Sequence, residues 1–397
     1  MSATITSAEA AAERVGQLQA GMAESGLDAL VLRLAENVVL ASGYYVQAGG
    51  TATVFVPAEG EATLIVPDYE AAEAATRFGG TILTTPAIRL DGPSPVVALR
   101  AHLTELGRAN DVRRAGYEGG FESIAPATLA GEPNAVGLPT AALLRETLGL
   151  EELVDVTELL ESTRAIKNAY DLDRLETVNE VAMIGLDAFK RLARPGISEV
   201  ALAAEVEAAI LREGSGHRGA RIVRGWATIL SGPGTSDGWQ YFRSSTRVIE
   251  PDDVVMLEMG TVADGYWADH TRTVVAGRAD AAQQAAFDAA RGATFASFAA
   301  AVPGATGDAV DAVARAYCAE RGFEQFPHHT GHGTGFRYHE TRPQIVPGSS
   351  HVLEAGMVIA SEPGIYNASG GFRWEDNAVV GPDGARVLAT SDWGLAD

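Results

Sequence analysis

Acidic side chains on otherwise apolar strands carry the strongest chemical signal in this sequence. In VVMLEMGTVADGYWADHTRTVV, residues 254–275, two β-patterned runs flank Ala263-Asp264-Gly265, a turn signal, so the stretch reads as an antiparallel hairpin. Pairing symmetric about positions 263 and 264 sets Glu258 directly opposite Asp269. Cross-strand neighbours hold their Cβ atoms about 4.5–5.5 Å apart, which presses two carboxylates together among Val, Met, Leu and Trp. Like charges there are costly unless something cationic sits between them.

The pattern repeats in VIASEPGIYNASGGFRWEDNAVV, residues 358–380, where the loop Asn367-Ala368-Ser369-Gly370 separates two strands and symmetric pairing sets Glu362 opposite Glu375. Four carboxylates on two apolar hairpins describe an oxygen-rich pocket suited to hard or borderline divalent cations. Arg373 shares a strand face with Glu375, as its salt-bridge partner or as a holder of that carboxylate and of a substrate carboxylate. A nitrogen ligand is available in FPHHTGHGTGFRYHE, residues 326–340, which holds His328, His329, His332 and His339 of the eight histidines in the chain. Gly331, Gly333 and Gly335 argue against a helix, so His328 and His332 are not a helical i, i+4 zinc pair. Glycines in strand context permit close backbone approach, and His332 is expected to point into the pocket with His328 and His339 near the substrate. His102, His217, His270 and His351 read as ordinary surface or packed histidines.

The elements that must position these residues show an internal echo. Arg194-Pro195-Gly196-Ile197-Ser198 introduces one helix pattern and Val302-Pro303-Gly304-Ala305-Thr306 another, with Ser198 and Thr306 as N-caps and Gly214 and Gly322 ending the runs. Each is followed by glycine-punctuated strand sequence, which suggests two related helix-plus-sheet halves facing each other. Ahead of them lies an α/β pattern: an amphipathic run from Ala8 to Met22, then the strand-like LDALVL, TATVFV and ATLIV. That region holds neither a G-x-G-x-x-G after a strand nor a Walker A loop.

At 397 residues, with 46% hydrophobic side chains, the chain has room for two or three well-cored domains. Its formal charge of -22 repels phosphate backbones and anionic membrane surfaces, so neither nucleic acid nor a membrane is an expected partner. A single cysteine, Cys318, excludes a disulfide framework and a thiolate metal cluster. With no secretory signal pattern at its start, the chain is expected to be cytoplasmic.

The motifs DGYWADHTRT, TGHGTG with YHE following, SEPGIY and GGFRWEDN, with the entry segment Arg164-Ala165-Ile166-Lys167, resemble the pita-bread superfamily of methionine aminopeptidase, prolidase, aminopeptidase P and creatinase. The two-domain length resembles the prolidase, aminopeptidase P and creatinase branch. The resemblance implies an α+β fold: a pita-bread catalytic domain with pseudo-twofold halves over 156–397, preceded by a smaller α/β creatinase-type domain over 1–155. It implies two divalent ions (Mn, Co, Zn or Fe) held by Glu258, Asp269, His332, Glu362 and Glu375. Glu362 would shuttle a proton, His328 and His339 would serve the substrate and the proton transfers, and the enzyme would be a homodimer cleaving a C–N bond. An Xaa-Pro peptidase is the leading expectation. A hydrolase of a small cyclic amidine or amide such as ectoine is the nearest alternative, and a catalytically silent binding module is the alternative of another class. Two departures stand out. Glu258 replaces the usual aspartate, where an extra methylene alters the metal geometry, and Tyr241 stands where relatives carry a substrate histidine, which puts Tyr241 and Arg373 among the expected substrate contacts. Creatinase activity is disfavoured, because the catalytic histidine is missing and Thr271 stands where that enzyme's glutamate would fall.

Overall fold

The computed structural model describes residues 5–46, 51–87, 94–119, 138–150, 152–237, 243–391 and 393–396. It divides into two compact units, Met1–Arg164 with Asn168–Asp171, and Ala165–Lys167 with Leu172–Asp397.

The first unit runs α1 (Ser7–Ser25), β1 (Ala29–Leu32), α2 (Ala35–Ser42), β2 (Thr53–Pro57), β3 (Thr63–Pro67), α3 (Ala71–Ala74), β4 (Thr81–Thr85), α4 (Pro95–Ala109), β5 (Ala115–Tyr117), α5 (Leu138–Leu148), β6 (Leu153–Asp155) and α6 (Thr157–Ala165). The strands form one sheet in the order β4-β3-β2-β1-β5-β6, antiparallel from β1 to β3 and parallel elsewhere. LDALVL, TATVFV and ATLIV supply β1, β2 and β3, each buried along its whole length, which demands cover on both faces. Thr6 and Glu9 start α1 as a reciprocal capping box, and Gly26 ends it in the left-handed region at φ 61°. Just past β5, the buried Glu118 accepts N–H groups from Arg33, Leu34 and the Asn37 amide, tying the end of β1 to β5. Burial nevertheless pushes its carboxyl up to about 7.

The second unit contains α7 (Ala169–Leu192, from Leu172 onward), α8 (Glu199–Gly214), β7 (Val223–Ser231), β8 (Val254–Ala263), β9 (Tyr266–Val275), α9 (Ala281–Ala300), α10 (Gly307–Ala319), β10 (Gly331–Gly333), β11 (Glu340–Ile345), β12 (Val358–Ser361), β13 (Gly364–Asn367), β14 (Gly370–Arg373), β15 (Asp376–Gly381) and β16 (Gly384–Val387). Its sheets are β7-β8-β9, β11-β10-β12-β15-β16 and the ribbon β13-β14.

The echo between the halves extends to individual backbone bonds. Ser198 caps α8 by accepting from Ala201 N, and Thr306 caps α10 by accepting from Ala309 N. Ser198 bridges Val248 as Thr306 bridges Val352, and Gly196 N donates to Ile249 O as Gly304 N donates to Leu353 O. Val254 then faces Val275 in the first half as Val358 faces Val379 in the second. Counting inward from those pairs, Glu258 corresponds to Glu362, Thr271 to Glu375 and Asp269 to Arg373. Among the described residues no helix is long and apolar enough to cross a membrane.

Candidate metal centre

The β8–β9 hairpin forms, but its register differs from the sequence expectation. Glu258 lies opposite Thr271, and Asp269 lies opposite Gly260. The reason is the turn: Asp264 and Gly265 both take positive φ, 49° and 87°, so the chain reverses through those two residues rather than about 263 and 264. The correction shifts the pairing by an even number of residues, which leaves both carboxylates on one face. The second hairpin keeps its expected register. Ser361 pairs with Asp376 in β12–β15 and Gly364 with Arg373 in β13–β14, which leaves Glu362 and Glu375 facing each other at the break between the two ladders.

What joins the two hairpins is a seam along β9. Asn377 gives its side-chain amide to Asp269 O and accepts from Asp269 N, at 2.7 and 3.0 Å. Glu375 N donates to Thr271 O, and Arg373 N donates to the Thr273 hydroxyl. Asp269 and Glu375 are thereby set side by side in a fully buried place. His332 enters from β10, whose flanking glycines are obligatory: a Cβ on Gly331 would lie 2.1 Å from Ala360 O, and one on Gly333 2.0 Å from Arg342 O. Its Nδ1 donates to Gly333 O at 2.9 Å, which leaves Nε2 facing Asp269 Oδ2 at 3.4 Å and Glu362 Oε1 at 3.6 Å.

One ligand atom each from Asp269, His332 and Glu375 falls within 4.8 Å of the other two. Among the described residues, Asp269 Oδ1, His332 Nε2 and Glu375 Oε1 are buried without a hydrogen-bond partner. Unpartnered buried polar atoms cost about 1–3 kcal/mol each, so three such residues with ligand atoms this close together suit a cation site. The electrostatics agree. Burial and the neighbouring carboxylates raise Asp269 and Glu375 above the usual carboxylate range, and burial takes Glu258 up to about 7. Burial alone would lower the His332 imidazole, yet Asp269 and Glu362 push it up to about 10. Asp269 and Glu375, both raised among neighbouring acids, beside an imidazole whose proton Asp269 and Glu362 retain, mark a place short of positive charge. The residues therefore fit a divalent ion.

Burial would raise Glu362, yet His329 Nε2 at 2.7 Å and Arg373 at 3.4 Å hold it well below the ordinary range. Arg373 makes its short contact with Glu258, 2.6 Å, and also donates to Thr271 and Tyr366. Glu258 takes the Tyr338 hydroxyl on its other oxygen. His339 stacks on His332 at 3.6 Å between ring centroids and reaches Asp269 at 3.1 Å, and Tyr338 stacks on His339 as well. One ligand atom each from His329, His332 and His339 also falls within 4.8 Å of the other two, but His339 Nε2 is engaged by Asp269 and His329 Nε2 by Glu362. His328 sits one layer out, its Nδ1 donating to His329 O and its Nε2 accepting from Tyr366, and burial lowers it to about 4. Tyr241 lies outside the described residues. Of the other histidines, His270 is fully buried, His217 pairs with Glu180 and His351 accepts from Gln344 N. His329, Tyr338, Tyr366 and Asn377 are site residues that sequence reasoning left without a role. Only the doubled histidine at 328–329 offered a visible signal.

The chain matches Metallopeptidase family M24 over residues 173–382, and the Creatinase/Prolidase N-terminal domain over residues 14–166. It belongs to metallopeptidase family M24. Within that family it is 34% identical over 275 residues to the uncharacterized peptidase YqhT of Bacillus subtilis, covering 68% of this chain and 75% of the relative. It is 30% identical over 382 residues to the probable dipeptidase PepE of Mycobacterium tuberculosis, covering 95% of this chain and 94% of that one. The crystal structure of the prolidase from Pyrococcus horikoshii superposes with a TM-score of 0.76 at 25% identity, covering 96% of this chain and 99% of that one. The M24 protein is thus a metallohydrolase of the α+β prolidase-like fold, its sheets bringing carboxylates and an imidazole to one buried point.

Proposed function

We propose that this M24 metallopeptidase is an Xaa-Pro-type dipeptidase whose divalent ion is held by Asp269, His332, Glu362 and Glu375, with Glu258 beside them. The observation that carries this is the convergence of Asp269, His332 and Glu375, each with an unpartnered buried polar atom. Relatives bearing the names dipeptidase and prolidase support the substrate class. A divalent ion at such a site supplies Lewis acidity and lowers the pKa of a bound water toward neutrality.

The chain's own groups then have distinct tasks. Glu362, kept ionised by His329 and Arg373, is the base that takes a proton from water and returns it to the leaving nitrogen. His339, neutral through burial, spends its Nε2–H on Asp269, which leaves Nδ1 as an acceptor for a substrate N–H. His328 is neutral too and is locked by Tyr366, so together they form a fixed polar wall against which a short peptide is oriented. Arg373 and Tyr241 complete the proposed substrate contacts, and the same reading carries a homodimer, a cytoplasmic location and a catalytic domain over 156–397.

The test is turnover of a Gly-Pro dipeptide by the full-length protein before and after a chelator, with Mn, Co or Zn added back. Loss with chelator and recovery with metal is expected. Chelator-insensitive turnover overturns the mechanism, and metal-loaded protein inert toward dipeptides overturns the substrate class.

A further inference from the structure

We infer that this centre takes one tightly bound divalent ion rather than two, seated on Asp269, His332, Glu362 and Glu375, and that Tyr338, Thr271 and Arg373 hold Glu258 off it. This rests on the metallopeptidase reading above and concerns the stoichiometry that this chain's own residues allow.

Asp269, Glu375 and His332 each present a buried ligand atom with no partner among the described residues. Glu362 is shared, with His329 on Oε1 at 2.7 Å, His332 Nε2 3.6 Å from the same oxygen and Arg373 3.4 Å from Oε2, whereas both oxygens of Glu258 are engaged by short bonds. Oε1 takes the Tyr338 hydroxyl; Oε2 takes the Thr271 hydroxyl and an Arg373 N–H at 2.6 Å. To ligate an ion, Glu258 would have to weaken the charge-assisted bond on Oε2 or the Tyr338 hydroxyl bond on Oε1.

The paired halves give a second, independent reason. In the second half a carboxylate, Glu375, faces Glu362; in the first half the residue facing Glu258 is Thr271, which carries no charge. Arg373 stands at the place that corresponds to Asp269, and its guanidinium reaches Glu258 at 2.6 Å and Glu362 at 3.4 Å. A cation built into the chain thus already lies between the two glutamates and closer to Glu258, so a metal ion on Glu258 would meet the stronger repulsion.

The experiment is a Mn2+ titration of the chelator-stripped full-length protein, followed by electron paramagnetic resonance, with Zn2+ content measured in parallel by elemental analysis. One tight ion per chain and an uncoupled six-line Mn2+ spectrum are expected. Glu258→Gln, checked for folding by circular dichroism and melting, should keep that stoichiometry with a dissociation constant within about threefold. Asp269→Asn should weaken it at least a hundredfold. Two tight ions with an exchange-coupled spectrum in the unmodified protein overturn the inference while leaving the metallopeptidase reading intact, and that measurement needs no variant to fold. A Glu258→Gln affinity as poor as that of Asp269→Asn overturns it equally. No tight Mn2+ or Zn2+ at all overturns the metal reading itself and the inference with it.

Discussion

Glu199, at the start of α8, and Glu375, just before β15, are both buried glutamates in the same unit, and their surroundings are opposite. Glu199 accepts Ser231 Oγ at 2.7 Å on one oxygen, and Ser245 N and Oγ at 2.8 and 2.7 Å on the other. Glu375 has a share in the single Thr271 hydroxyl and one bare oxygen, and its neighbours are other acids. Thr271 has only one proton to give, and Glu258 also competes for it. The first carboxylate is finished by the fold and holds a loop; the second is left chemically open. Burial by itself therefore says nothing about function. What separates the two is whether the fold brought donors or further acceptors to the carboxylate.

Substitution at the two glutamates should split activity from stability. Glu375→Gln is expected to cost turnover on the order of a thousandfold or more. The metal-free variant should melt no lower than the parent, because a buried acid crowded by its acidic neighbours has been replaced by a neutral amide. A lower melting temperature in the absence of metal would show Glu375 to be a structural anchor after all. Glu199→Gln should do the reverse. It sets an amide N–H group against donors and should cost about 2–3 kcal/mol in urea unfolding, with kcat of the folded fraction little changed. A large loss of kcat at unchanged stability would erase the contrast.

Glu118 in the first unit tests the intermediate case, a carboxylate supplied with donors yet raised to about 7 by burial. Its folded pKa lies above the unfolded value of 4.5, so the unfolded chain binds fewer protons between those two pH values. Stability from this group is therefore lost as pH rises from about 4.5 to about 7, and the penalty is complete above that. Relative to Glu118→Gln, the parent should lose on the order of 1–3 kcal/mol between pH 5 and pH 8, read as the difference between the two proteins' unfolding curves. A pH-independent difference would place Glu118 with Glu199 instead. The smallest effect concerns the paired caps. Ser198→Ala and Thr306→Ala should each cost about 1 kcal/mol, and by similar amounts, because both hydroxyls accept one N–H at the same helix position. Unequal losses measured by thermal melting would show that the halves are alike in geometry but not in energetics.

The legible parts of the centre were those governed by short-range rules. Turn residues announced both hairpins, and alternation put the acids on one face. An even-numbered error in register therefore did no harm to Glu258 and Asp269. His332 was legible because Gly331 and Gly333 left a strand as the only regular option for that segment. The partners of Arg373 were not legible. Sharing a face with Glu375 is a fact about one strand, whereas its 2.6 Å contact with Glu258 comes from another hairpin. Tyr338, Tyr366 and Asn377 were silent for the same reason, since nothing beside them in the chain hints at Glu258, His328 or Asp269.

The order of residues alone determined two helix-led halves, two hairpins carrying four acids, and a glycine-flanked imidazole, because turns, caps and alternation act over a few neighbours. Only the tertiary structure decided which of those acids face one another with nothing between them. That depends on the β9 seam through Asn377 and Thr271, whose contacts join residues about a hundred positions apart. Such contacts obey packing and charge rather than spacing, and they turn four similar side chains into one satisfied carboxylate, Glu258, and an open cluster for a cation.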